Sequence, residues 1–264
     1  MSVLRFDVNI NRPRRVTVNS RDSENGMTAL MAASVRGHYN AVKFLIEKGA
    51  DVNHKDNSNA TGLMGATEIG NIRIVKLLVE NNADVHVETN SGNTAIILAA
   101  SHNDYSEIVE YLLTKKLSKY EKNMALTSAA NWGSIKSAKL LIESGADVNF
   151  ITPYDDTPLM LAAACSGKRL GLSRKTKAIQ LVKLLLDNGA NLDAKSPQRG
   201  MTALMCASEE DLGISAVKLL LENGANPKLI NKDKETALDL AKKKGNTEII
   251  RVLEAQSKFT KYVN

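Results

Sequence analysis

Between residues 28 and 53 the chain reads TALMAASVRGHYNAVKFLIEKGADVN, and its order of apolar and polar positions predicts two helices followed by an extended turn. Thr28 stands just before an apolar run, where its hydroxyl can accept from a free N–H of the first helical turn, as an N-cap does. Leu30 and Ala33 share one face at the i, i+3 spacing, and the small Ala32 and Ala33 let a neighbouring backbone approach. Gly37 ends this first short helix. Val42, Phe44, Leu45 and Ile46 give the second helix its buried stripe, and Gly49 supplies a left-handed C-cap.

Nearly the same pattern returns six more times. Its opening residue falls at Thr28, Thr61, Thr94, Met124, Thr157, Thr202 and Thr236, and the first two steps are 33 residues each. The C-cap glycine recurs as Gly145, Gly189 and Gly224, with Asn82 in its place in the second copy. A helix–turn–helix unit of this size cannot bury its own apolar face. Neighbouring units must supply the core, and about three or more are needed for stability.

A 33-residue period with a threonine-led first helix, a glycine, an I-V-x-L-L run and G-A-D-V-N resembles the ankyrin repeat, over about Asn19 to Leu253. The expected fold is therefore all-α: a solenoid of seven stacked helix-turn-helix units with extended turn fingers. The expected domains are an N-terminal capping segment or arm at 1–18, the repeats at 19–253 and a C-terminal tail at 254–264. Where the family has the histidine of T-P-L-H, this chain has Met31, Met64, Ile97, Thr127, Met160, Met205 and Asp239. The joints between repeats should then lean on apolar packing.

Several copies depart from the pattern. The step from Thr94 to Met124 is only 30 residues, so the third finger should be shortened or lost, and Asn123 is expected to cap the fourth repeat. Val182 lies 25 residues after Thr157, whereas Val42 lies 14 after Thr28, which places an insertion between two helices at about Cys165 to Ala178. That insertion carries Lys168, Arg169, Arg174, Lys175 and Lys177 and is expected to be a mobile loop or a docking element. In the sixth repeat Asp211 replaces the glycine. In the last, Asp239 stands three after Thr236, as in a capping box.

The net charge of +6 conceals an uneven distribution. Residues 1–21 sum to +4, residues 165–179 to +5 and residues 228–264 to +4, leaving −7 for the rest. The N-terminus lacks the apolar core of a signal peptide and no apolar run approaches the ~18 residues that span a bilayer, so the expected location is cytoplasmic. Cys165 and Cys206 fall in different repeats and are expected to be reduced thiols. His38, His54, His86 and His102 have no partners at ligand spacing, so no metal or cofactor is expected. Pairs such as Asp155–Asp156 and Glu209–Glu210 are adjacent in sequence and point apart, which gives no convergent acid–base pair. No enzymatic activity is expected.

The resemblance implies binding of another protein through the inner faces of the first helices and the turn tips. By register, the expected partner-binding residues are Arg36, Glu68, Ile69, His102, Asn131, Trp132, Tyr154, Glu209 and Glu210, centred on repeats two to five. Trp132 is the single tryptophan and the expected hot spot. The G-A-D-V-N tails at Asn53 and Asn149 match the family context for asparagine hydroxylation by a host dioxygenase. An adaptor, targeting subunit or effector, monomeric on its own, is the leading expectation. Binding of nucleic acid or an anionic membrane surface through the basic ends and insertion is the alternative.

Overall fold

The structure is a computed structural model of the 264-residue chain, and it describes residues 17–101, 104–165, 172–210 and 213–259, apart from the side chains of 165, 172–175 and 257–259. The described residues form fourteen helices and no strand; one isolated bridge pairs Arg21 with Thr28. Seven pairs of helices follow the seven copies.

The chain divides into two compact units. The first comprises the described residues up to Ala99 together with Glu107–Leu117, and the second comprises Ala100–Ser106 and the chain from Ser118 onward. In the first, the short helices α1 (Ala29–Val35), α3 (Gly62–Glu68) and α5 (Ala95–Ala99) form one layer, with α1 on α3 and α3 on α5. The longer α2 (Tyr39–Glu47) and α4 (Ile72–Glu80) pack on each other in a second layer, and α6 (Ser106–Leu113) is the corresponding helix of the third copy. Leu30, Leu63 and Ile96 from the first layer and Val42, Val75 and Val109 from the longer helices are buried in register. Full burial of such side chains contributes roughly 1.5–3 kcal/mol each.

The second unit repeats the arrangement with α7 (Lys119–Trp132), α9 (Pro158–Cys165), α11 (Ala203–Ser208) and α13 (Ala237–Lys244) in one layer. In the other lie α8 (Ile135–Glu143), α10 (Leu172–Asp187), α12 (Ile214–Glu222) and α14 (Thr247–Phe259).

The threonine caps stand where the pattern puts them. Thr28, Thr61, Thr202 and Thr236 accept from the N–H three residues on, and Asp239 closes a capping box. Thr157 does the same with Met160 N–H. The expected C-caps at Gly49, Asn82, Gly145, Gly189 and Gly224 all have left-handed φ. A Cβ at these glycines would meet nothing, so the backbone angle alone selects the residue.

Three expectations need correction. Asn123 is not the cap of the fourth repeat: α7 starts earlier, at a capping box of Ser118 and Glu121, and the helix takes the place of the third finger. Asn123 is buried inside α7 and accepts from the Asp147 N–H at 2.8 Å. The insertion is not all loop, since α10 begins at Leu172 and has 16 residues against 9 in α2, α4, α8 and α12. The segment 254–264 does not begin as a tail, because α14 continues to Phe259.

Polar ties between repeats also carry more than the loss of the family's histidine suggests. Asn53 donates to the Asn82 carbonyl at 2.9 Å and accepts from the Asp84 N–H at 2.7 Å. Asn149 grips Gly189 and Asn191 in the same way, and Asn19 grips Gly49 and Asp51. Successive turn tips are joined by backbone bonds from Asn57 to Asn25, Asn90 to Ser58 and Lys232 to Arg199. The helix layers pack through apolar side chains, and the hydrogen bonding is placed at the turns.

Candidate functional site

On the first unit, the inner helices and turn tips enclose an open groove of about 600 Å³. Its apolar lining comes from Met27, Met31, Val35, Met64 and Leu98. Its polar edge comes from turn residues such as Ser58, Thr89, Asn90 and Asn93, with Asp56 and Glu68 as the ionisable groups. Among the described residues no lysine or arginine lines it.

The groove exists because of how the repeats fit. Gly65 is the fourth residue of α3, and a Cβ there would collide with Cγ2 of Val35. Gly62 likewise lies close under the Ser34 hydroxyl, at 3.3 Å from a Cβ position. These glycines bring α1 down on α3 and leave Val35 forty per cent exposed on the rim. Glu68 ends α3, is exposed and has no ion-pair partner among the described residues. Asp56 instead uses Oδ1 to accept from the Ser58 N–H, the Ser58 hydroxyl and the Ala60 N–H, which holds its turn in shape.

The expected binding residues fall in both units. Arg36 caps the C-terminus of α1 and its guanidinium donates to the Ala32 carbonyl at 3.4 Å; it does not line the groove. Glu68 and Ile69 are exposed in the first unit. His102 lies outside the described residues. Asn131 and Trp132 are half-buried at the end of α7 in the second unit, and Tyr154 is 72% exposed at a turn tip there. Glu209 and Glu210 are half-buried after α11, and their segment is tied to the last repeat by Asn246, which donates to the Ser208 and Glu210 carbonyls.

Of the basic insertion, Lys168 and Arg169 lie outside the described residues, and Arg174 and Lys175 contribute described backbone to α10. Lys177 is exposed on that helix. At the C-terminal end, Lys243 pairs with Glu235 and Lys242 with Glu254 at 3.5 Å. Both hydroxylation candidates, Asn53 and Asn149, hold the next turn through both ends of the amide.

Two carboxylates do structural work that their sequence position conceals. Asp104, with left-handed φ, accepts from the backbone N–H groups of Lys136 and Ser137 at 3.2 and 2.9 Å. It thereby caps α8 from another repeat, since Ser134 makes no side-chain cap bond. Asp155 is buried and accepts from the Gln198 and Arg199 N–H groups at 2.7 and 2.9 Å. Desolvation pushes its carboxyl up, but these donors, the Ser196 hydroxyl and the Arg199 guanidinium outweigh it and hold it below the usual range. Asp156 receives the same guanidinium at 2.6 Å. The Asp155–Asp156 pair is thus a strut between two turns rather than a solvated tip.

Cys206 is a free, buried thiol whose pKa burial pushes up to about 12, with Asp156 adding to the shift. Among the described residues no three His, Cys, Asp or Glu are placed to hold a metal ion, and no helix is long and apolar enough to cross a membrane.

Known proteins place these features in context. The chain is 27% identical over 199 residues to the ankyrin repeat and KH domain-containing protein mask-1 of Caenorhabditis elegans, covering 75% of this chain and 6% of that one. It is 35% identical over 127 residues to the probable E3 ubiquitin-protein ligase XBOS34 of Oryza sativa subsp. japonica, covering 48% and 23%. The chain thus spans less than a quarter of either relative's length. Among solved structures, the human ASB11 ankyrin repeat domain superposes with a TM-score of 0.71 at 26% identity, covering 86% of this chain and 98% of that one. The ankyrin repeat domain of Bcl-3, a member of the IkappaB protein family, gives 0.66 at 27%, covering 88% and 100%. The family model for ankyrin repeats in three copies matches residues 63–152 and 171–261, and that for a single ankyrin repeat matches 25–57. With the repeat pattern, the paired helices and these matches in agreement, the chain belongs to the ankyrin repeat family.

Proposed function

We propose that this protein is a non-enzymatic adaptor that binds another protein through its inner helices and turn tips. Ankyrin repeat domains are generally protein–protein interaction modules, and the coarse reading follows from membership. The observation that carries the finer one is the groove of the first unit, where inner-helix and turn-tip positions converge on an apolar floor with a polar edge. An interface with a desolvated centre and a polar rim needs that combination. The groove lies on repeats one to three, nearer the N-terminus than the centre expected from the sequence.

The basic ends give weaker support to a polyanion-binding reading. Two lysines of the C-terminal KKK run are already paired with Glu235 and Glu254. A photo-crosslinking residue placed at Glu68, at Tyr154 or at the outer-helix residue Lys43 tests the proposal in cells. The expected result is adducts with the same protein from positions 68 and 154 and none from 43. Adducts confined to position 43 would overturn it.

A further inference from the structure

We infer that the groove of the first unit takes an extended peptide segment of the partner in which a large apolar side chain is followed closely by a lysine or arginine. The inference rests on the protein-binding reading above and adds the chemistry of the bound segment. Size is the first observation: about 600 Å³ is within the usual range for a pocket that accepts a few side chains. The second is the floor. Val35, Leu98 and the unbranched thioether of Met27 supply its accessible apolar surface, over Met31 and Met64, which are each only 2% exposed, and a methionine adapts to apolar side chains of different shape. An extended backbone also needs hydrogen-bonding partners. Ser58, Thr89, Asn90 and Asn93 line the edge where such a backbone would run; each side chain already bonds within the turns, so the backbone would use their second amide hydrogens and remaining oxygen lone pairs.

Charge decides the rest. Among the described residues the ionisable lining groups are Asp56 and Glu68, both acids, although the whole chain carries +6. Glu68 is the freer of the two: it is exposed, at the groove edge, and without an ion-pair partner among the described residues, whereas one oxygen of Asp56 is committed to its own turn. A cation beside the apolar anchor meets that carboxylate, and an acidic segment, a phosphopeptide or a nucleic acid strand would be repelled by it. The groove therefore selects against the polyanions that the net charge suggests.

The test is panning of a random dodecapeptide phage library on the full-length chain, on Val35→Arg and on Glu68→Lys, with thermal melts to confirm that each variant is folded. The wild type should enrich sequences with Leu, Met or Phe next to Lys or Arg. Anisotropy with a labelled selected peptide should show affinity falling about tenfold or more in each variant. Glu68→Lys alters an exposed side chain, so it keeps the test informative if Val35→Arg does not fold. Enrichment of acidic peptides, the same sequences from wild type and Glu68→Lys, or no enrichment above background would each overturn the inference. If crosslinks from positions 68 and 154 persist in such a case, the protein-binding reading stands and only the peptide chemistry fails.

Discussion

Asp155 shows what a single side chain contributes across a repeat boundary. Its carboxylate joins residues more than forty positions apart, and its pKa lies below the ordinary value of 3.8. A group with a depressed folded-state pKa contributes stability that is present above its unfolded pKa and is lost as pH falls through the folded one. The melting-temperature gap between wild type and Asp155→Ala should therefore stay constant from about pH 7 to pH 5 and close below about pH 4. A gap that persists unchanged at pH 2.5 would mean that the charge plays no part. Trp132 carries the other prediction at this scale. As part of the proposed binding face, its truncation to Ala should cost about 2 kcal/mol of partner binding, on the order of thirtyfold in affinity by competition binding. Unchanged affinity with a lowered melting temperature would assign the ring to packing alone. Contacts such as those of Asp104 and Asp155 were not legible in the sequence, because each joins residues 32 or more apart with no local pattern to announce it.

Helices were legible where the signal is local. A threonine before an apolar run and a glycine or asparagine after one identify caps within a single turn, and those at Thr28, Thr61, Asn82 and Gly145 stand as the pattern places them. The start of α7 breaks the repeat register, which points to Asn123. The S-x-x-E at Ser118 was the available signal, five residues earlier. Ser118→Ala should destabilise the second unit by about 1 kcal/mol in urea unfolding, and no change would mean that the capping box does not hold the helix start. The insertion is opaque in the sequence for a related reason. Counting residues between Thr157 and Val182 finds an excess but not its conformation, and α10 absorbs part of it by starting one to two turns before the register position. The groove could have been suspected from two glycines in one helix: Gly62, where five other copies have alanine, and Gly65, where the others have Ala32, Leu98, Ser128, Leu161, Cys206 and Leu240.

The whole molecule follows from units that touch only their neighbours. The short third step, the helix that replaces the third finger and the Asp104 cap of α8 coincide with the division into two compact units. Stability in such arrays is nearly a sum over repeats and joints, so a change of architecture in mid-chain should separate two cooperative blocks. Trp132, the single tryptophan, reports on the second unit alone. Its fluorescence should give a denaturant midpoint different from that of far-UV circular dichroism, which sees every helix; coincident curves would show one cooperative block. Protein binding by the inner face is the central claim for the molecule, and hydrogen exchange of the chain with and without its crosslinked partner tests it most directly. The account expects slowed exchange in residues 27–35, 56–68 and 89–98 and around Trp132 and Tyr154, with the outer helices α2 and α4 unchanged. Slowing confined to α2 and α4 would contradict it.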